Sequence, residues 1–390
     1  YWSQATIGEV YTLHVLLLAA ALFLLLRWYA APSRSRFLVA AATIAGLAAS
    51  NHVTSLALVP AALLFVLLAA PSRLRRLRVV TACGLGFALG LSPYLYLPLR
   101  AAAGAPYVWG DPTTLAGFWS VVTGSLYRDL ILAAPLAGSG LRAAHVATLL
   151  LDQFGWPGLA LQVVGLWTLW QSHRPVVALL AALALPIVAF AAVFPARDSE
   201  VYLLPLFLAG TLCFAVGLLV ASRALLDLLD RRLPSSPRPA ARWLPISALV
   251  LALLGLFPAG SLLRHYPSLD LSADATAQQY AVTTLAALPP RALLLVEGDR
   301  QAFSLWYLQL VEGRRPDVAV VELNLLTFPW YAARLPQHYP GLTIPRPPVD
   351  VDSLLQANAE RPLYTTSGAP RRGFDLVPTG DLFRLVPRGA

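Results

Sequence analysis

Long apolar runs separated by short arginine-bearing connections occupy the first two thirds of this chain and dictate where it can fold. Crossing the hydrocarbon core of a bilayer takes about 20 apolar residues, with a range of roughly 17–25. Eight segments qualify or come close: 10–29, 37–51, 53–70, 77–98, 155–171, 175–194, 201–221 and 243–261. Composition agrees. Of 390 residues, 57% are hydrophobic and 13% charged, where a soluble domain carries about 25% charged residues. Only eight of the 20 acids fall within residues 1–261. The expected fold class is therefore an all-α polytopic membrane bundle of about eight spans, residues 1–261, followed by a soluble α/β domain, residues 262–390.

Charge decides the number and direction of the spans. The second segment is short, and with the third it reads as one helix broken at Asn51-His52 or as two. With eight spans, one side of the membrane collects thirteen arginines, among them Arg27, Arg34, Arg36, Arg73, Arg75, Arg76, Arg78 and Arg174. The other side before residue 262 collects four: Arg100, Arg128, Arg142 and Arg197. Positive residues favour the cytoplasmic side, and merging spans two and three would put the Arg73–Arg78 cluster outside. Two spans are the better reading. The linker 222–242 is then cytoplasmic, and the loop 99–154 and the C-terminal domain lie outside the cytoplasm. The expected location is the inner membrane, multi-pass.

The net charge of +9 is all arginine, because the chain contains no lysine. Clustering between apolar runs marks these arginines as topology signals rather than a nucleic-acid surface, and without lysine there is no Schiff-base chemistry. Cys83 and Cys213 lie inside apolar runs and read as packing residues. Methionine is absent even from position 1, which suggests that the chain begins inside a longer or processed protein.

Past Arg264 the pattern changes. Leu293–Val296 is a short apolar run, Gln301–Val311 has helical spacing, Gly313 suits a helix stop, and Asp317–Glu322 is a second strand-like run. That β–α–β order predicts a small α/β unit, with Pro362–Thr366 and Phe374–Val386 as further strands. Glu297-Gly298-Asp299 lacks the glycines of a phosphate-binding loop. The closing Leu385-Val386-Pro387-Arg388-Gly389 resembles a protease-tag remnant, or is chance.

On the eight-span map the unusual polar residues gather at the outer face. Glu9, at a span start, is either an anchor favoured by the helix dipole or a base or phosphate or metal contact facing a lipid-accessible cavity. Asn51 and His52 form a polar turn or a phosphate contact. Arg100 breaks the positive-inside pattern; it either snorkels to headgroups or binds an anionic phosphate. Tyr107 and Trp109 read as interface aromatics or a sugar-stacking platform. Asp111, before Pro112, is a turn former or a catalytic carboxylate. Asp198 and Glu200 pair with Arg197 or cap the next span. The six histidines show no metal spacing, and no Ser/His/Asp arrangement is visible.

Several strings together resemble a bacterial multi-span membrane family of formerly unknown function, related to the eukaryotic transmembrane protein O-mannosyltransferase that acts on plexin-type receptors. They are Trp2-Ser3-Gln4-Ala5 leading to Glu9-Val10-Tyr11, Gly46-Leu47 leading to Asn51-His52, Tyr94 to Arg100, Trp109-Gly110-Asp111-Pro112, and Thr123-Gly124 with Tyr127. Towards the C-terminus come Gly298-Asp299, Leu305-Trp306-Tyr307-Leu308-Gln309, Arg315-Pro316-Asp317-Val318 and Pro329-Trp330-Tyr331. The resemblance implies a GT-C glycosyltransferase fold, a polyprenyl-phosphate sugar (mannose among the candidates) as donor, and a protein or glycan hydroxyl as acceptor, with reaction at the non-cytoplasmic face. It also implies an acidic outer loop upstream, which this chain lacks. Among residues present, Glu9 and Asp111 are the expected catalytic carboxylates, and Asn51, His52, Arg100, Tyr107 and Trp109 the expected substrate contacts. The cofactor stays open: a divalent metal is a candidate, without a sequence signature for it. A transporter or flippase of lipid-linked sugars, or a non-catalytic assembly protein, are the rival readings; the paired repeats expected of a transporter are not visible.

Overall fold

The computed structural model describes residues 2–105, 108–125, 128, 139–193, 199–232, 255, 256, 259–346 and 348–388. The chain forms two compact units, Tyr1–Leu99 with Trp119–Asp270, and Arg100–Phe118 with Leu271–Ala390.

The first unit is a helical bundle. Five of its described helices are long and apolar enough to cross a membrane: Tyr11–Ala30, Leu77–Ala102, Ala144–Ser172, Arg174–Ala191 and Glu200–Leu228. Each falls on an expected span. The expected second and third spans coincide with the shorter apolar helices Arg36–Asn51 and Val53–Ala69, and the expected eighth, 243–261, lies mostly outside the described residues. The chain does reverse at His52, whose extended backbone ends one helix and opens a 3-10 turn over Val53–Ala57. Residues of the Tyr11–Ala30 helix fix the direction: His14 meets Ser55 near its start, and Trp28 meets Phe65 near its end. The third segment therefore runs alongside the first and antiparallel to the second.

Sequence dictates the packing. In Tyr11–Ala30 the buried residues His14, Leu18, Ala21, Leu22, Leu25 and Trp28 recur at helical spacing on one face. Arg36–Asn51 buries small residues, Ala41, Ala45, Gly46, Ala48 and Ala49, so its neighbour approaches closely. A methyl group at Gly46 would land on the Phe87 carbonyl oxygen, and one at Gly90 on the Thr43 carbonyl oxygen. The two helices touch backbone to backbone, the small-residue contact that drives helix association where lipid removes the hydrophobic advantage.

The stretch 99–154 carries helices of its own, Leu115–Val122 and the front of Ser139–Ser172. The latter is two helices joined at a kink, where Gly155 adopts φ 61° ahead of Pro157. Its apolar part starts at Ala144, ahead of the expected 155, because the sequence around the kink interrupts an otherwise continuous pattern.

The second unit is built on a five-stranded sheet: β1 (Leu293–Val296), β2 (Ala319–Glu322), β3 (Leu363–Thr365), β4 (Phe374–Thr379) and β5 (Leu382–Pro387), in the order β2-β1-β3-β5-β4. β1 pairs in parallel with β2 and β3. The β4–β5 hairpin closes the antiparallel edge, β5 pairing with β3. β1 and β2 are buried throughout, as parallel strands covered on both faces must be. The Asp299–Leu310 helix connects them. The Leu385–Pro387 string is thus part of β5 and of the fold.

Two shared strings are structural clamps here. Arg315 donates through Nε and Nη2 to the two Asp317 carboxylate oxygens (2.8 and 3.0 Å). Its Nη1 also reaches the carbonyls of Leu285 (2.6 Å) and Leu288 (2.9 Å), satisfying the end of the Thr276–Ala287 helix. Buried Gln309 donates to the Arg315 and Val318 carbonyls and accepts from the Tyr339 hydroxyl.

Candidate functional site

One end of the bundle brings polar and aromatic side chains together inside an apolar frame. His14, on the first turn of its helix, is buried and its Nδ1 lies 2.8 Å from Ser55 Oγ. Its ring sits 5.1 Å from that of His52, and His52 in turn packs against Tyr11 (5.6 Å) and Tyr202 (5.7 Å). Phe190 meets Tyr202 edge-on at 5.2 Å. His52 lies in the connection between two helices, where burial pushes its imidazole below the ordinary value. The ring is then neutral at pH 7. Its Nδ1 accepts from the Thr54 backbone N–H at 3.4 Å and lies 2.7 Å from the Thr54 hydroxyl, so the network assigns the ring proton to Nε2. That leaves an N–H donor held by its neighbours, suited to an anionic oxygen.

Glu9 enters the same end through the backbone. Asn51 Nδ2 donates to the Val10 carbonyl at 3.1 Å, tying the turn before the first span to the turn after the second. Glu9 is exposed, just ahead of the Tyr11–Ala30 helix. The structure therefore places the Glu9 turn, Asn51 and His52 at one end of one unit. It also adds His14, Ser55 and Tyr202, each of which alone looks like an ordinary packing residue, and gives Tyr11 of the Glu9-Val10-Tyr11 string a place against His52.

A cavity of about 350 Å³ opens in the same unit, lined by Ser3, Gln4, Gln153, Glu200, Val201 and Phe207 among others. Gln4 Oε1 is buried with no hydrogen-bond partner among the described residues, an acceptor whose desolvation is uncompensated. Glu200 lies in the first turn leading into its helix, as a capping acid does, and faces His145 Nε2 at 3.6 Å. Asp198 and Arg197 lie outside the described residues. A cavity with carboxylate and amide acceptors suits a ligand that presents hydroxyl donors.

The remaining expected residues belong to the second unit. Arg100 is exposed on the last turn of the Tyr96–Ala102 helix. Asp111 orders the turn into Leu115–Val122: its carboxylate takes the Thr113 hydroxyl and its carbonyl takes the Thr114 N–H at 3.2 Å. Trp109 packs on Trp330, centroids 5.6 Å apart. Both line an aromatic cavity of about 260 Å³ with Phe303, Trp306, Tyr307 and Tyr331. Tyr107 lies outside the described residues, as does Tyr127. Among the described residues no group of three or more His, Cys, Asp or Glu is placed to hold a metal ion.

Comparison with known proteins gives these features a context. Residues 1–75 match the family model of the protein O-mannosyl-transferase TMEM260 N-terminal domain, and residues 277–345 match TMEM260-associated domain 2. The mouse protein O-mannosyl-transferase TMEM260 is 27% identical over 447 aligned residues, covering 99% of this chain and 59% of the mouse protein. The Dictyostelium discoideum protein O-mannosyl-transferase tmem260 is 23% identical, covering 85% of this chain and 44% of that protein. The chain is related to these eukaryotic proteins and spans about half their length. No solved structure matches it.

Proposed function

We propose that this relative of the protein O-mannosyl-transferases moves mannose from a polyprenyl-phosphate donor to a hydroxyl of a protein acceptor, at the non-cytoplasmic face of the membrane. The observation that carries the reading is the gathering of Glu9, Asn51, His52 and the Gln4–Glu200 cavity at one end of an apolar bundle, in a chain whose matched relatives are named protein O-mannosyl-transferases. Under this reading the bundle has the GT-C architecture with eight spans, and the C-terminal α/β unit lies outside the cytoplasm.

The chemistry needs three things. A carboxylate takes the acceptor proton as the hydroxyl oxygen bonds to the anomeric carbon. The bond from that carbon to the phosphate oxygen breaks, and the phosphate departs with the electron pair. Donors stabilise the charge left on it. Glu9 is the proposed base and the His52 Nε2–H a proposed phosphate donor. In the second unit, Arg100 is proposed as a phosphate contact, Tyr107 and Trp109 as sugar contacts, and Asp111 as a catalytic or loop-ordering carboxylate.

The test uses full-length protein in membranes with radiolabelled polyprenyl-phosphate mannose and a protein acceptor. Label transferred by wild type and lost in Glu9→Gln supports the reading. Passage of the donor across vesicles without transfer would favour a flippase, and equal transfer by wild type, Glu9→Gln and Arg100→Ala would sink the assignment.

A further inference from the structure

The opposite end of the bundle is different chemistry altogether. Contacts of Trp28 and Tyr29 with Phe65, and of Tyr29 with His173, bring the ends of three helices together there. The connections at that end hold Arg27, Arg34, Arg36, Arg73, Arg75, Arg76, Arg78 and Arg174. Between Glu9 and Asp111 there is no acidic residue at all. Among the described residues no ion pair engages any of these arginines, although Arg27 and Arg36 lie over the Phe37 ring at 5.8 and 5.1 Å.

Beside this charge lies an apolar cavity of about 350 Å³, walled by Leu25, Leu38, Ala45, Leu58, Cys83 and Phe87. Half-buried Arg73 contributes to its lining, and the exposed side chains of Leu63 and Val80 form part of its rim. The cavity extends along the Leu58–Val66 turns, about 12 Å at 1.5 Å per residue. Gly84 lines it, and a methyl group there would meet nothing within 4 Å.

An apolar slot beside a cationic cluster that no ion pair engages among the described residues matches a molecule that joins an acyl chain to an anionic head. Basic pockets between membrane helices bind such lipid headgroups, each arginine near the surface contributing attraction. We infer that this cavity is a binding site for an anionic glycerophospholipid, with one acyl chain between the Tyr11–Ala30, Arg36–Asn51, Leu58–Ala69 and Leu77–Gly90 helices and the phosphate head at Arg73 and its neighbours. Topology alone accounts for arginines in these connections; it does not account for an adjoining apolar slot. The proposed head position at Arg73 lies at the far end of the bundle from the proposed transfer chemistry, and the inference does not depend on that reading.

The experiment is lipid retention by the full chain, purified from bilayers of equal phosphatidylglycerol and phosphatidylcholine and read by native mass spectrometry. Wild type is expected to keep phosphatidylglycerol through delipidation in preference to phosphatidylcholine. Arg73→Gln is expected to lower that retention about fivefold. Gly84→Leu, which fills the slot from a position with open space, is expected to abolish it, whereas Gly84→Ala keeps it and reports that the helix tolerates a side chain. Retention of both lipids alike, unchanged in Arg73→Gln, would overturn the inference, as would a stoichiometric polyprenyl phosphate in place of the phospholipid. Undiminished phosphatidylglycerol in folded Gly84→Leu would equally overturn it.

Discussion

The Glu322 carboxylate, at the end of β2, accepts the backbone N–H of Gly298 at 3.0 Å, just past the end of β1. The same side chain, 2% exposed, takes Asn324 Nδ2 at 2.9 Å and the Leu325 N–H at 2.7 Å. One buried group thus holds the ends of two parallel strands in register. Glu322→Ala strands two backbone N–H groups and is expected to cost about 3 kcal/mol. Hydrogen exchange checks it: the Gly298 and Leu325 amides should lose protection, and unchanged protection would refute the role. Glu322→Gln, which keeps an acceptor, should be milder.

Arg315 and Asp317 give the second unit an acid sensitivity. The Arg315 guanidinium holds the Asp317 carboxyl down to about 2 from an ordinary 3.8. A group depressed in the folded state stabilises fully above its unfolded value and loses that contribution as pH falls through the folded one. Unfolding temperature should therefore drop between about pH 4 and pH 2, and Asp317→Asn should flatten that part of the profile while lowering stability at pH 7. Arg315→Lys keeps the charge but loses the fork and its reach to Leu285 and Leu288; it should destabilise at every pH.

Where Gly46 faces Gly90, size is the whole issue. Gly46→Val places carbon on the Phe87 carbonyl, and the helices must separate at a cost of about 1–3 kcal/mol or more. Thermal unfolding in detergent should show a lower midpoint, whereas Gly84→Ala, with open space around it, should leave the midpoint unchanged or raised.

At the histidine end, the proposed function predicts that His52→Ala reduces mannose transfer by about a hundredfold. His52→Phe retains the packing against Tyr11 and Tyr202 without the donor and should fall equally far. A Phe variant as active as wild type would assign the ring to packing alone.

How much of this was legible in the chain depends on the range of the interaction. Five of the expected spans could be read because a membrane helix is specified by its own residues, and the break at Asn51-His52 because arginine counts depend only on which connection each residue occupies. The β–α–β run was equally local. The partners of Arg315 were not: the shared string marks the residue, but the Leu285 and Leu288 carbonyls lie 30 and 27 positions away. Gln4 and Glu200 line one cavity from opposite ends of the bundle sequence, and singly each has an ordinary helix-end explanation. The grouping of Arg100–Phe118 with the C-terminal unit is long-range in the same sense.

The glycine seam has a mechanical consequence. Helices separated by interleaved side chains can slide, because rotamers exchange as ridges pass. Helices in backbone contact have nothing to exchange. Arg36–Asn51 and Leu77–Gly90 should then travel as one stiff plank, as should the pair joined where Gly165 meets the Cys213 carbonyl and Gly217 the Leu161 carbonyl. If the bundle breathes to admit a lipid-borne molecule, the parting lines run between these planks and never through them.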